Sequence, residues 1–126
     1  MSGRRVGPHI LAGVGSQFVS FSELSRFTLA EGATAQALFG EQAMLNLVEL
    51  EPAARVPRHS HPHEQLGVVL RGELTLHTSD GEHVLHPMDA YALPGDAEHE
   101  AVAGPEGALV LDVFQPIRED YRSAAT

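Results

Sequence analysis

The residues best suited to chemistry form a histidine cluster near the middle of the chain. His59 and His61 are separated by one residue, Gln65 follows four residues later, and His99 comes after a Pro-Gly turn farther along. Side chains on an extended strand alternate between faces, so His59 and His61 would share a face with their backbones roughly 6.5 to 7 Å apart. Both imidazoles could then converge on one ion, with the Gln65 carbonyl oxygen and the His99 imidazole completing a three-nitrogen, one-oxygen ligand set.

The same stretch leaves other interpretations open. A histidine-rich loop that binds no ion is one of them. His63 continues the alternation and is a further candidate ligand, although Pro62 favours a bulge or turn there, so we expect His63 and Glu64 to lie at the rim of the site. A ligand set without a carboxylate leaves the charge of a divalent ion uncompensated, which favours Lewis-acid, non-redox chemistry.

A second candidate is an acidic residue in an apolar segment. Asp112 follows Leu109–Leu111 and is followed by Val113 and Phe114. Burial of a carboxylate is costly unless it is paired or faces a wet cavity. Alternation places Asp112 and Phe114 on one face with Val110, and in a small barrel this face would line the cavity. The alternative is a stabilising role, in which Asp112 caps a turn or pairs with an arginine such as Arg118.

The elements that must position these residues are predicted to be short antiparallel strands. Turn signals recur at intervals of about 8 to 12 residues, which is typical of an all-β sandwich or barrel. The turn signals are Phe39–Glu41, Pro52–Pro57, Arg71–Glu73, Ser79–Gly81, His86–Asp89, Pro94–Asp96 and Gly104–Gly107. The predicted strands between them are Met44–Leu50, Leu66–Leu70, Glu73–Thr78 and Ala108–Phe114, and short helices are predicted at Ser20–Ser25 and Glu119–Ala125.

Length and composition set limits on the partners of the chain. Its 126 residues, 43% of them hydrophobic, fit one domain over residues 18–126, preceded by a glycine-rich, flexible arm over residues 1–17. A formal charge of -9 opposes binding to nucleic acid or to an anionic membrane surface, and the apolar runs are far too short to span a bilayer. The chain has no cysteine, so a metal must be bound through nitrogen and oxygen. We read no signal peptide and expect a cytoplasmic location.

The histidine cluster and a later turn resemble the two motifs of the cupins. The first motif maps onto His59, His61, Gln65 and Gly72, and the second, a proline-centred turn before a histidine, onto Pro94–His99. Gln65 stands where many members have Glu. The resemblance covers about residues 35 to 116 and implies an all-β jelly-roll barrel, a double-stranded β-helix, with one divalent ion (Zn, Ni, Mn or Fe). Because such barrels expose sheet edges that the arm could cover, we expect a homodimer.

The closing segment is similar to that of small cupins of pectin degradation, which open the ring of 4,5-unsaturated galacturonate. In that family an Asp, a Phe and an Arg line the site, and they fall on Asp112, Phe114 and Arg118. The resemblance implies proton transfer by Asp112, binding of a substrate carboxylate by Arg118 and packing of the ring by Phe114. The segment is also similar to that of other single-domain cupins, including ones that resemble polyketide cyclases, and a cupin-type polyketide cyclase is the second hypothesis. An iron-dependent dioxygenase and a non-catalytic small-molecule-binding module are further alternatives.

Overall fold

Antiparallel β-strands make up most of the structure, a computed structural model that describes residues 15–126. A 3₁₀ turn at Phe21–Glu23 precedes the strands, and one short helix follows them. The elements are β1 (Phe27–Ala30), β2 (Ala33–Phe39), β3 (Met44–Leu50), β4 (Arg55–His59), β5 (Glu64–Thr78), β6 (Gly81–Leu85), β7 (Ala90–Leu93), β8 (His99–Gln115) and α1 (Glu119–Ala124). The expected all-β class and the predicted C-terminal helix are confirmed, whereas the predicted helix Ser20–Ser25 contains only the 3₁₀ turn.

The two longest strands, β5 and β8, hold the fold together. The sheet runs in the order β1-β2-β3-β8-β5-β6, while β4 pairs with β8 and β7 pairs with β5. Each long strand therefore has three neighbours, all of them antiparallel. As a consequence, residues that lie far apart in the sequence are aligned in rows across β3, β8, β5 and β7.

Two of the predicted turns are wrong. Arg71–Glu73 and Gly104–Gly107 lie inside β5 and β8, which continue through them. The β5–β8 register shifts on both sides of Arg71 and Gly72, and both Gly72 (φ 78°) and Gly107 (φ 80°) have left-handed backbones. A Cβ at Gly72 would overlap the Gly107 carbonyl oxygen. The glycines thus form a paired bend that lets both strands turn a corner of the fold.

The interior is lined by alternate residues of the central strands. On β3, Val48 and Leu50 are buried, and so are Val69 on β5 and Val110 on β8. Asp112 and Phe114 share the buried face of β8 with Val110, as the alternation predicts, whereas Leu109, Leu111 and Val113 on its other face are only partly buried. The apolar face of each strand therefore surrounds a cavity into which a few polar side chains project.

The N-terminal arm falls largely outside what the structure describes. Residues 1–14 of the predicted arm lie outside the described residues. Near its end, the Gln17 side-chain amide donates a hydrogen bond to the Phe39 carbonyl, so this part of the arm packs against β2. Within residues 15–126, no helix is long and apolar enough to cross a membrane.

Candidate functional site

Three histidines from two strand ends and one loop converge at one end of the interior. His59 is the last residue of β4 and is paired in register with His99, the first residue of β8. His61 lies in the loop just beyond β4, so the prediction that His59 and His61 share one strand is corrected: the strand ends at His59. A ring nitrogen from each of the three histidines lies within 4.8 Å of the others.

The backbone fixes the orientation of each imidazole. Nδ1 of His59 lies 2.7 Å from the Pro57 carbonyl oxygen, Nδ1 of His61 lies 3.1 Å from that of His63, and Nδ1 of His99 lies 2.9 Å from that of Ala97. A carbonyl oxygen only accepts hydrogen bonds, so each Nδ1 is the donor and Nε2 of each ring faces the other side. Metal-binding histidines are typically oriented by such bonds.

Gln65 brings an oxygen to the same point. Its Oε1 lies 3.1 Å from Nε2 of His61. Burial, followed by the charge of Arg118, lowers the pKa of His61 to about 4, so this ring is neutral at physiological pH. Two lone pairs then face each other, an arrangement that a shared cation relieves. Two atoms bound to one ion at about 2.0 to 2.2 Å would lie about 3 Å apart.

A further sign of a missing partner is found at His99. Burial lowers the pKa of this imidazole, and no described residue offers a hydrogen bond to its buried Nε2. Because buried polar atoms are nearly always bonded to a partner, Nε2 of His99 is expected to bind a ligand. The residues present therefore fit a divalent ion held by His59, His61, His99 and Gln65. His63 lies beside this group rather than in it, with its ring centroid 5.5 Å from that of His61, and Glu64 is exposed.

Asp112 is held in the same cavity by a tyrosine. The Tyr91 hydroxyl donates a hydrogen bond to Asp112 Oδ1, and the two residues flank Gly67 in the sheet, Tyr91 on β7 and Asp112 on β8. A Cβ at Gly67 would overlap the Tyr91 ring, so only glycine leaves room for this hydrogen bond. The pairing of Asp112 with Arg118, one of the sequence alternatives, is not what the structure has.

The environment of Asp112 suits a proton-transfer group. Burial raises its pKa to about 6, and hydrogen bonds from Tyr91 and Gln65, together with the charge of Arg118, oppose this rise. Burial and the neighbouring Asp112 also raise the pKa of Tyr91 well above its usual value, so Tyr91 remains a hydrogen-bond donor. A carboxyl group with a pKa near 6 can both accept and return a proton near neutral pH.

Arg118 lies at the mouth of the cavity, stacked on two aromatic rings. Its Cζ is 3.8 Å from the ring centroid of Tyr121 and 5.1 Å from that of Phe114. Nη2 and Nε donate to the Asp120 carboxylate at 2.8 and 3.3 Å, while no described residue accepts a hydrogen bond from the buried Nη1. Phe114 itself is buried and lies edge-on to His61. One guanidinium nitrogen is thus available to an anionic ligand.

His59 of the histidine cluster lies where a small inner cavity meets a wider cleft, and His99 lines the inner cavity. The inner cavity has a volume of about 50 Å³ and the outer cleft one of about 430 Å³. His59, Arg118 and Tyr121 line both spaces. Most of the inner wall is apolar, with aliphatic and aromatic side chains, and its polar side chains include Asn46, Gln65, Tyr91 and Asp112. A ligand that reaches the cluster from the cleft therefore meets a mainly apolar wall beyond it.

Comparison with known families agrees with this geometry. The family model described as the cupin domain matches residues 46–114, more than half of the chain. The chain belongs to the cupin family. The resemblance noted in the sequence is thereby confirmed, and the antiparallel architecture is that of a cupin. A search of curated protein sequences gave no match.

Solved cupin structures resemble this one closely. An RmlC-like cupin from Shewanella frigidimarina is 28% identical with a TM-score of 0.73, and 79% of this chain and 90% of that chain are covered. KdgF from Halomonas sp. is 27% identical with a TM-score of 0.74, covering 79% of this chain and 94% of that one. A single-residue variant of oxalate decarboxylase from B. subtilis is 21% identical with a TM-score of 0.75. The match covers 87% of this chain and 32% of the decarboxylase chain, and it concerns the fold alone.

Three residues of the cavity were missed by the sequence analysis. Tyr91 holds Asp112, Tyr121 stacks on Arg118, and Asn46 lines the inner wall. Tyr91 and Asn46 lie opposite Gly67 and Asp112 through the register of four strands, which local patterns do not encode. Tyr121 could have been suggested by its position three residues after Arg118 on a short predicted helix.

Proposed function

We propose that this cupin is a metal-dependent, non-redox enzyme that opens or isomerises a small acidic sugar of the 4,5-unsaturated uronate class. The observation that carries the proposal is the presence of Asp112, a buried carboxyl group with a raised pKa, in the same cavity as His59 and His99, two of the three converging imidazoles. The similarity of the closing segment to pectin-degradation cupins, and KdgF among the structural neighbours, support the choice of substrate.

In this proposal each residue has a distinct role. A divalent ion held by His59, His61, Gln65 and His99 supplies, when bound, Lewis-acid polarisation of a substrate hydroxyl or carbonyl oxygen. Asp112 accepts and returns the proton that must move when the ring opens. The Tyr91 hydroxyl is a positioning group, because its hydrogen bond fixes the direction of the carboxylate that exchanges the proton.

Arg118, at the mouth of the cavity, and Phe114 bind the substrate in this proposal. Nη1 of Arg118 binds the carboxylate of the uronate, and stacking on Tyr121 holds the guanidinium plane in place. Phe114 packs against the sugar ring from the buried side. The aromatic and guanidinium groups also shield the cavity from water, which strengthens charged hydrogen bonds within it.

Turnover of 4,5-unsaturated galacturonate by the metal-loaded protein tests the proposal. We expect loss of the ultraviolet absorbance of the conjugated double bond without oxygen uptake. Arg118→Ala should raise KM for this acid several-fold or more. Arg122→Ala is the matched control, because Arg122 lies on the helix that directly follows Arg118 but pairs with the exposed Glu119. No turnover by the wild-type protein would refute the substrate assignment, and oxygen consumption would indicate a dioxygenase instead.

A cupin-type polyketide cyclase is the second candidate, and the apolar inner wall favours it. A neutral polyketide with enolisable carbonyls would meet the same cluster and the same Asp112, but it would not need the charge of Arg118. Cyclisation that is unaffected by Arg118→Ala would favour this candidate. A protein that binds either compound without changing it would be a binding module.

A further inference from the structure

Asn46 is a buried amide in the inner wall of the cavity. It lies on β3 with only 1% of its surface exposed. No residue within the described part of the chain offers a hydrogen bond to its side-chain Oδ1 or Nδ2. Buried polar atoms are nearly always hydrogen-bonded, because leaving one without a partner lowers stability. The amide of Asn46 therefore has a donor and an acceptor that are available to a ligand in the cavity.

The sheet places Asn46 directly beside the proton-transfer group. Asn46 is paired in register with Asp112, which is paired with Gly67, which in turn is paired with Tyr91. Side chains of directly opposed residues have Cβ atoms about 4.5 to 5.5 Å apart. Asp112 is hydrogen-bonded to Tyr91 on one side of this row, and Asn46 lies on the other side of Asp112.

The neighbouring rows set the chemical character of the space around Asn46. In the row on one side, Gln65 of the candidate ligand set is paired with Phe114. In the row on the other side, Val48 is paired with Val110, which is paired with Val69. Asn46 and Asp112 thus lie between a row that contains Phe114 and the candidate ligand Gln65 and a row of three valines.

A second buried amide shows that this feature is specific to the cavity. Gln36 on the adjacent strand β2 is 6% exposed, and its Nε2 donates to the backbone carbonyls of Phe21 and Leu24. The Gln36 amide is therefore satisfied by the fold. Asn46 lines the cavity that also contains Asp112, so its partner has to come from within that cavity.

We propose that Asn46 binds a hydroxyl or carbonyl oxygen of the substrate next to the atom that exchanges a proton with Asp112. The proposal rests on the proposed function for the identity of the substrate, and it adds a specificity-determining residue to it. The preferred ligand is a molecule whose inserted part carries this one oxygen and otherwise presents carbon to the valine row. A 4,5-unsaturated uronate meets this description better than a fully hydroxylated sugar, because the double bond replaces one ring hydroxyl.

Thermal unfolding of Asn46→Leu and Gln36→Leu tests whether the Asn46 amide is held for a ligand. Leucine has nearly the same size and no polar atoms, so removal of an unsatisfied amide should leave the melting temperature of the metal-loaded protein unchanged or higher. Gln36→Leu removes the side-chain donor to the Leu24 carbonyl and one of the two donors to the Phe21 carbonyl, so it should lower the melting temperature by about 4 °C or more. A similar loss in Asn46→Leu would mean that the amide is part of the fold, and would overturn the proposal.

Kinetics on 4,5-unsaturated galacturonate test the contact with the substrate. Asn46→Leu should lower kcat/KM by about 10- to 100-fold, mainly through a higher KM, because a lost hydrogen bond to bound substrate weakens binding. Gln36→Leu should retain the wild-type KM. An unchanged KM in Asn46→Leu would overturn the proposal. If the wild-type protein does not convert the uronate, the proposed function fails, and the two melting temperatures alone decide the role of Asn46.

Discussion

Tyr91 and Asp112 are joined by a hydrogen bond that passes over Gly67. The three residues lie side by side on β7, β5 and β8, and the middle one has no side chain. A residue with a Cβ at this point would occupy the space that the tyrosine ring and the carboxylate now share. The position and the pKa of Asp112 therefore depend on Gly67, a residue without a side chain.

Gly67→Ala is expected to separate Tyr91 from Asp112. The added methyl group must displace the Tyr91 ring, which overpacks the cavity and lowers the free energy of unfolding by about 1 to 3 kcal/mol. Activity should fall while metal content stays near that of the wild type, because the atoms nearest the added methyl group belong to Tyr91 and Asp112 and not to a histidine. Chemical denaturation and metal analysis measure both effects. Wild-type stability together with full activity would show that the close packing around Gly67 is not as described.

Tyr91→Phe should change the pH profile of the reaction. The hydrogen bond from Tyr91 lowers the pKa of Asp112, against the larger effect of burial. Without the hydroxyl the pKa of Asp112 must rise, so the limb of the kcat/KM profile that Asp112 controls should move to higher pH. A profile that stays in place, with only stability reduced, would assign Tyr91 a structural role alone.

Much of the fold could be predicted from local patterns. The strand Met44–Leu50 is observed as predicted, and Ala108–Phe114 lies within β8, because alternation of buried side chains has a period of two that the sequence displays directly. The convergence of His59, His61 and His99 was also predicted correctly. The expectation rested on the resemblance to a known pair of motifs and on a strand shared by His59 and His61, and the structure corrects the shared strand.

The remainder depends on distant parts of the chain. Gly72 and Gly107 look like turn residues in isolation, yet each bends a continuous strand against the other. The hydrogen bond of Asp112 goes to Tyr91, 21 residues away, and not to the nearby Arg118. Only the register of β5 with β7 and β8 determines these contacts, and no local pattern specifies that register.

Metal binding should stabilise the folded protein. If the ion binds only the folded state, a concentration one hundred times Kd adds about 2.7 kcal/mol to the free energy of unfolding. His61→Ala should abolish this gain, and chelation of the wild-type protein should have the same effect. His83→Ala is the control, because His83 is exposed and outside the cluster. An unchanged metal content and melting temperature in His61→Ala would show that His61 is not a metal ligand.

Besides the sheet edges that the N-terminal arm could cover, we propose the outer face of the central sheet as a surface for the expected homodimer. Leu66 and Leu70 are 45% and 40% exposed on β5, and Leu111 and Val113 of β8 are partly buried on the same face. A contiguous apolar face of this kind favours association. Leu111→Asp should reduce the mass measured by light scattering to that of a monomer, and Val84→Asp, on the exposed strand β6, should not. A wild-type mass near 13.5 kDa at micromolar concentration would contradict the expectation.

The most direct test of the central claim is the turnover of 4,5-unsaturated galacturonate by metal-loaded Asp112→Asn. The variant keeps the shape of the side chain but cannot exchange a proton as a carboxylate does. We predict that kcat falls by about 10² to 10⁴-fold while KM and metal content remain close to those of the wild type. Full activity with reduced stability would show that Asp112 serves the fold alone, and the proposed mechanism would then be wrong.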